Sequence, residues 1–314
     1  MLVKQATEHM LPERLLQWAA RAVHPDAAVV SVRQLLGGTS STMHCLSVQS
    51  GGQVADYVLR QLDNEEWLQE EPDAAWHEAE SLRFAVETGL HTPRIVAYDI
   101  DGSACGIPAV LMTRLEGTVD LQPQRLEPWL NGLAQTLASI HAVDADRFGW
   151  AYFTYIDVDS LERPEWSNAP ERWSAIFDIV RGPRPLTTRH CFIHRDYHPG
   201  NVLWSDGAVS GVVDWVNACR GPAGIDVGQC RLDLAKLHGV EAADTFLSAY
   251  ERFAGTAFRY DPYWDLLSVV DTLFDPPAVD EGWKAFGVTS LTDALVAERL
   301  ELYAASLLRR AARE

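Results

Sequence analysis

His194-Arg195-Asp196-Tyr197-His198-Pro199-Gly200-Asn201 runs on into Val202-Leu203-Trp204, turns at Asp206-Gly207, and reaches Gly211-Val212-Val213-Asp214-Trp215. Compact apolar segments, Cys191-Phe192-Ile193 and Gly211-Val212-Val213, lie on either side of the polar stretch and predict two short strands that hold the loop between them. The residue types in that loop suit one chemistry. Phosphoryl transfer needs a carboxylate beside the acceptor hydroxyl, oxygen ligands for the cation that screens the phosphates, and in-line placement. Asp196 can orient the hydroxyl and take its proton late, while Asn201, five residues on, offers a neutral carbonyl oxygen and Asp214 a charged one, the kind of ligand magnesium prefers.

The stretch matches the kinase signature H-R-D-x-x-x-x-N followed by an Asp at the end of a strand. More closely, it resembles the aminoglycoside phosphotransferase and choline kinase-like family, whose loop reads H-x-D-x-x-x-x-N with Pro-Gly before the Asn. Further landmarks extend the resemblance from about Gly37 to Asp226. The resemblance implies an α+β, bilobal protein kinase-like fold with a small antiparallel-sheet N-lobe and a larger, mainly helical C-lobe. We place the nucleotide-binding lobe at residues 1–116 and the catalytic and substrate-binding lobe at 117–314. By the same resemblance Asp196 is the catalytic base, Asn201 and Asp214 hold Mg2+, and His194 packs and hydrogen-bonds within the loop. Asp226, after the turn Gly221-Pro222-Ala223-Gly224, would hold the loop in shape, and a helix N-cap ahead of Val227 is an additional reading of it.

Working outward toward the N-terminus, Leu11, Leu15, Leu16, Ala19 and Val23 share a face of a helix over about 8–23. Strands are predicted over 28–36, 43–48 and 54–62, separated by Gly37-Gly38-Thr39-Ser40-Ser41 and Ser50-Gly51-Gly52. After an acidic insert over 63–73, a helix over 74–89 carries Trp76, Ala79, Leu82 and Val86 as its apolar stripe, with Phe84 off it. Two more strands follow over 93–101 and 109–114. Beyond Gly117 helices dominate, beginning with 126–141 and its Leu130, Leu133, Leu137 and Ile140.

The nucleotide side follows from the same register. Arg60 in the third strand stands where kinases keep a lysine, with Glu78 as its natural partner and Glu80 as the alternative. Gly37 and Gly38 can turn backbone N–H groups toward phosphates, and a plain hairpin turn explains them equally well. The stretch is neither G-x-x-x-x-G-K-[ST] nor a full G-x-G-x-x-G, against a P-loop or dinucleotide fold. Met112 to Gly117 resembles the family hinge, in which Thr113 and Leu115 would offer backbone groups to adenine. ATP is the expected donor and GTP the alternative.

Composition narrows the partners. Twenty-six basic against 44 acidic residues give −18, unfavourable for nucleic acid or an anionic membrane. The five cysteines are scattered without a C-x-x-C pair and read as reduced, buried thiols. No apolar run reaches about 18 residues, and the N-terminus does not read as a signal peptide, so a cytoplasmic protein without membrane insertion is expected. The acceptor is a small-molecule hydroxyl; an antibiotic of aminoglycoside type leads, with choline or sugar kinases and a nucleotide-binding pseudokinase-like module as alternatives. Asp261, Asp265, Asp271, Asp275, Asp280 and Glu281, near Trp264 and Trp283, either form a cation-binding face or lie on solvated helix sides.

Overall fold

The computed structural model describes residues 11–35, 41–185, 190–273 and 275–312. By internal contacts the chain forms two compact units, residues 1–80 with 93–114 and residues 81–92 with 115–314.

In the first unit, helix α1 (Glu13–Val23) precedes strands β1 (Ala28–Leu35), β2 (Thr42–Ser50) and β3 (Gln53–Gln61). Strands β4 (Ile95–Asp99) and β5 (Ala109–Thr113) complete an antiparallel sheet of order β1-β2-β3-β5-β4. Gly51 and Gly52, at φ 56° and 80°, make the tight hairpin between Ser50 and Gln53 that a right-twisted strand pair requires. Alternation along the strands sends Leu46, Val48, Leu59 and Leu111 to one side, where they meet Leu11, Leu15 and Ala19. The acidic insert is not wholly irregular: α2 (Glu65–Glu70) forms there, with Asn64 accepting a hydrogen bond from the Trp67 amide as its cap.

Helix α3 (Ala74–Ala85) ends in one 3-10 turn, and its buried face differs from the expected stripe. Ala79 and Leu82 are buried, but Trp76 and Val86 are 44% and 38% exposed, while His77 and Glu78 are buried in their stead. The reason is electrostatic. A carboxylate that meets an arginine can be buried, so the buried face turns from the predicted stripe toward Glu78, keeping Ala79 and Leu82 and leaving Trp76 and Val86 outside.

The second unit begins with β6 (Thr118–Val119), α4 (Leu126–His141) and α5 (Pro170–Val180). Strands β7 (Cys191–Ile193), β8 (Val202–Ser205), β9 (Ala208–Val212) and β10 (Cys219–Gly221) follow, then α6 (Gly224–His238), α7 (Val240–Ala254), α8 (Pro262–Val270), α9 (Glu281–Ala285) and α10 (Asp293–Ala311). Leu130, Leu133, Leu137 and Ile140 bury the inner face of α4 as the spacing predicts. Helix α6 is buried along nearly its whole length, packed by α7, α8 and α10. Phe84, placed off the stripe by the sequence, packs its ring 5.0 Å from Phe148 and 4.9 Å from Phe192. All five cysteines are free and buried, and burial pushes the thiols of Cys45, Cys105 and Cys230 up from their ordinary range.

Candidate active site

The two strands predicted on either side of the loop form, but they do not pair with each other. β7 pairs with β10, whereas β9 pairs with β8, so the loop over 194–201 passes from one small sheet to another. A single 3-10 turn over Pro199–Asn201 closes it, with His198 Nδ1 accepting from the Gly200 amide at 3.2 Å. Two non-glycine residues adopt left-handed backbone here, Arg195 and Asp214, both at φ 65°. Such a conformation costs on the order of 1–2 kcal/mol and persists only where surrounding contacts impose it. Gly211 sets the approach to Asp214: a Cβ there would lie 2.9 Å from the His91 carbonyl oxygen, which accepts the Val212 amide at 3.0 Å.

Asp226 imposes the loop's shape. Fully buried in the first turn of α6, its carboxylate accepts the amides of His194 at 2.7 Å and Arg195 at 2.6 Å and the ring Nε2 of His141 at 3.0 Å. The other nitrogen of His141 meets the Tyr250 hydroxyl at 2.6 Å, so the anchor reaches from α6 through α4 to α7. The N-cap reading of Asp226 is not what forms, since the cap position of α6 is Ala223. His194 is likewise fully buried, its Nε2 2.9 Å from the Val213 carbonyl oxygen and its ring 4.6 Å from that of Trp215.

Asn201 ties the end of the loop to its centre, its amide nitrogen donating to the backbone oxygen of Asp196 at 2.9 Å and to its carboxylate at 3.2 Å. The Asn201 backbone oxygen accepts the Val213 amide at 3.0 Å, one residue before Asp214. Burial raises the proton affinity of Asp196; His198 and His194 lower it, while Asp214 and Asp233 raise it. His198 Nδ1 accepts the Gly200 amide, and its Nε2 lies 3.9 Å from Asp196 Oδ1.

A magnesium ion fits this donor set. With the Asn201 amide nitrogen engaged twice, its carbonyl oxygen is the atom left for a cation, and Asp214 lies close enough to Asp196 for their charges to interact. No group of three or more His, Cys, Asp or Glu suited to a metal occurs among the described residues. Magnesium needs none, since it commonly takes one or two side-chain oxygens and completes its shell with phosphates and water.

In the first unit Arg60 Nε lies 3.3 Å from Glu78 Oε1, and both side chains are almost fully buried. Thr113 uses its amide to bond the Arg94 carbonyl oxygen at 2.9 Å and its hydroxyl to accept the Arg94 amide at 2.8 Å. Its amide is therefore not available to a ligand, which corrects the hinge reading at that atom. Leu115 opens the second unit after Arg114. Gly37 and Gly38 lie outside the described residues.

The sequence reading missed Asp233, a buried residue of α6 whose carboxylate lies 3.6 Å from His198 Nδ1 and 3.5 Å from Lys236 Nζ. It stands seven positions beyond Asp226, two helical turns along the same face, and that spacing was the available signal. The acidic residues suspected of binding a cation are scattered in their roles. Asp265 is buried against Arg231, Tyr260 and Tyr303, Asp261 and Asp280 cap α8 and α9, and Glu281 pairs with Lys284. Trp264 and Trp283 are buried as well.

A small antiparallel sheet with a buried Arg–Glu pair, and a helical unit carrying the H-R-D-x-x-x-x-N loop, define a kinase-like phosphotransferase. The sequence matches the profile of the phosphotransferase enzyme family over residues 31–264, and the chain belongs to that family. It is similar to homoserine kinase from Rhodopseudomonas palustris, 26% identical over 186 residues, which are 53% of this chain and 55% of the relative. The chain thus spans about half the length of that curated relative. Among solved structures, one is a Ralstonia eutropha JMP134 protein provisionally assigned as an aminoglycoside phosphotransferase, with TM-score 0.62, 18% identity and 96% and 98% of the two chains covered. A thermostable variant of aminoglycoside phosphotransferase APH(4)-Ia, in ternary complex with ADP and hygromycin B, superposes with TM-score 0.57 at 16% identity, over 89% and 95% of the chains. These likenesses show the fold. Among the described residues, no helix is long and apolar enough to cross a membrane.

Proposed function

We propose that this enzyme is a cytoplasmic kinase that transfers the γ-phosphoryl group of ATP to a hydroxyl of a small molecule, with magnesium. The observation that carries the reading is the Asp196 carboxylate held by Asn201 on a loop whose backbone Asp226 fixes. Asp196 accepts the hydrogen bond of the attacking hydroxyl and receives its proton as the O–P bond forms, and its raised proton affinity brings it nearer the working pH of a general base. His198 Nε2 lies 3.9 Å from that carboxylate, near enough for its charge to bear on it. When bound, magnesium neutralises charge on the β- and γ-phosphates; Asn201 and Asp214 are the residues that would hold it. Arg60, kept straight by Glu78, supplies a fixed cation for the phosphates, and Gly37, Gly38 and the backbone of Leu115 belong to the same nucleotide reading.

Two acceptor classes compete. The aminoglycoside reading draws on the hygromycin B complex of a fold neighbour. A metabolic small alcohol is favoured by the homoserine kinase relative, and by the acidic residues of α8 and α9 that are already engaged within the protein.

The test is magnesium-dependent transfer from ATP and from GTP across aminoglycosides, macrolides, choline, sugars and hydroxy amino acids, with Asp196→Ala as control. Transfer abolished by that substitution supports the reading. Nucleotide binding with no transfer or hydrolysis would point to the pseudokinase-like module, and absence of nucleotide binding would overturn the proposal.

A further inference from the structure

Arg195 and Asp196 are neighbours with separate surroundings. Asp196 meets Asn201 and His198, whereas the Arg195 guanidinium lies over the rings of Phe153 at 4.3 Å, Tyr155 at 4.5 Å and Tyr152 at 5.6 Å and donates to the Phe153 carbonyl oxygen at 3.0 Å. This aromatic strip is fastened beside the catalytic loop. Ala151 bridges to Arg220 in parallel, the Arg220 amide bonds Trp150 at 2.8 Å and the Tyr152 amide bonds Arg220 at 2.9 Å, while Arg220 belongs to β10, the partner of β7. A cavity of about 100 Å³ opens here, lined by Tyr152, Tyr155, Arg195, Asn217, Gln229 and Asp271 together with apolar residues of α6 and α8. It starts one Cα step, about 3.8 Å, from the residue proposed as base.

We infer that this cavity receives the phosphoryl acceptor and that the acceptor is a small zwitterionic alcohol, its carboxylate on Arg195 and its ammonium on Asp271. The inference rests on the phosphotransferase reading above. Size and charge carry it. Drug-sized ligands occupy pockets of about 300–1,000 Å³, so a cavity of about 100 Å³ matches a single amino acid better than a three-ring aminoglycoside. Arg195 and Asp271 already act on each other's charge across the cavity; an acceptor with only positive charge would meet Arg195 unpaired and one with only negative charge would meet Asp271 unpaired, whereas a zwitterion matches both ends of that pair. Asn217 and Gln229 add carboxamides that can donate or accept. Burial pushes the Tyr152 hydroxyl up to about 12, which keeps it a donor. In the transfer the acceptor oxygen bonds to the γ-phosphorus, the bond from that phosphorus to the β,γ-bridging oxygen breaks, ADP leaves with the electron pair, and the hydroxyl proton passes to Asp196.

The full chain, with ATP and magnesium, would be assayed against L-serine and L-homoserine, against ethanolamine and 3-aminopropanol, which lack the carboxylate, and against glycolate and 3-hydroxypropionate, which lack the amine. Transfer to a zwitterion at a kcat/KM at least 100-fold above its two truncated analogues is expected. Arg195→Lys, which keeps charge but loses the planar stack, should raise the KM of the zwitterion at least tenfold with a smaller change in kcat. Arg195→Asn should erase the preference over the amino alcohol, and Asp271→Asn, at an exposed position, should erase the preference over the hydroxy acid. Melting temperatures would identify variants that fail to fold, and Asp271→Asn then decides independently. Acceptor-free ATP hydrolysis that Asp196→Ala abolishes, without phosphorylation of any zwitterion, would overturn this inference and leave the kinase reading standing. Equal use of all three analogue classes would overturn it too, and absence of both ATP turnover and ATP binding would overturn both.

Discussion

Helix α6 serves two regions of the second unit, and the two are built on opposite logic. Its first turn carries Asp226, which accepts two backbone amides and a histidine and so fixes the shape of the catalytic loop. Five residues later, Arg231 is fully buried and pairs with Asp265 on α8 and, at 2.8 Å, with Asp244 on α7, with the hydroxyl of Tyr260 at 2.9 Å and the Tyr303 hydroxyl bound to Asp265 at 3.0 Å. The first cluster orders the backbone of the loop that carries Asp196; the second holds helices together. A buried charge can therefore serve geometry or cohesion: Asp226 gives two of its three bonds to loop amides, whereas Arg231 meets side chains contributed by α7, α8 and the segment before α8.

Substitutions separate the two. Asp196→Ala is expected to lower kcat by about 10³-fold, within the 10²–10⁴ range for a positioned base, with little change in melting temperature. Arg231→Met should destabilise by about 3–5 kcal/mol because it strands Asp265 in the interior, while the fraction that stays folded turns over normally. Adding Asp265→Leu should recover most of that loss, and denaturant midpoints across the double-mutant cycle would check it. Asp226→Asn should reduce kcat about 100-fold, since one carboxylate oxygen that accepts an amide is replaced by a donor, with a stability loss of about 1–3 kcal/mol. If it instead behaves like Arg231→Met, with stability lost and turnover kept, the contrast fails.

Arg60→Lys tests the nucleotide side more gently. A rise of about tenfold in the KM for ATP with kcat nearly kept is expected, because an ammonium lacks the Nε through which Arg60 meets Glu78 and the fan of donors a guanidinium offers phosphates.

The smallest effect concerns His238, whose proton affinity burial lowers and whose ring sits edge-on to Trp129 at 5.5 Å. With the folded-state value below the unfolded value of about 6.5, its contribution is fully present above that pH and is lost as pH falls through the folded-state value. His238→Phe should flatten the stability profile over that acidic interval, as urea midpoints at successive pH values would record.

What could be read in advance divides along the same line. The loop over 194–201 was legible because the H-R-D-x-x-x-x-N pattern sets residue types at fixed spacing between two short apolar strands, and β1 to β3 and α4 were legible because their periodicities are clean. The Arg231 cluster was not, since its partners at 244, 260, 265 and 303 come from separate elements with no common period. Helix α3 misled for a related reason: pairing with Arg60 lets Glu78 be buried, and Trp76 lies on the outside instead. The partner of β7 could not be inferred because β10 is only three residues long, Cys219 to Gly221, and contains an arginine. The segment bearing Phe153 and Tyr155 carries no motif, and only the position of Arg195 gives it significance.

The five buried thiols, described above only as packing, give this protein an internal clock. A native molecule should present no cysteine to an aromatic disulfide reagent, so each thiol that reacts records an opening event. Cys45 and Cys105 report on the first unit, and Cys191, Cys219 and Cys230 on the second, around the loop over 194–201 and helix α6. Labelling followed by peptide mapping would time the two units separately, without any engineered probe.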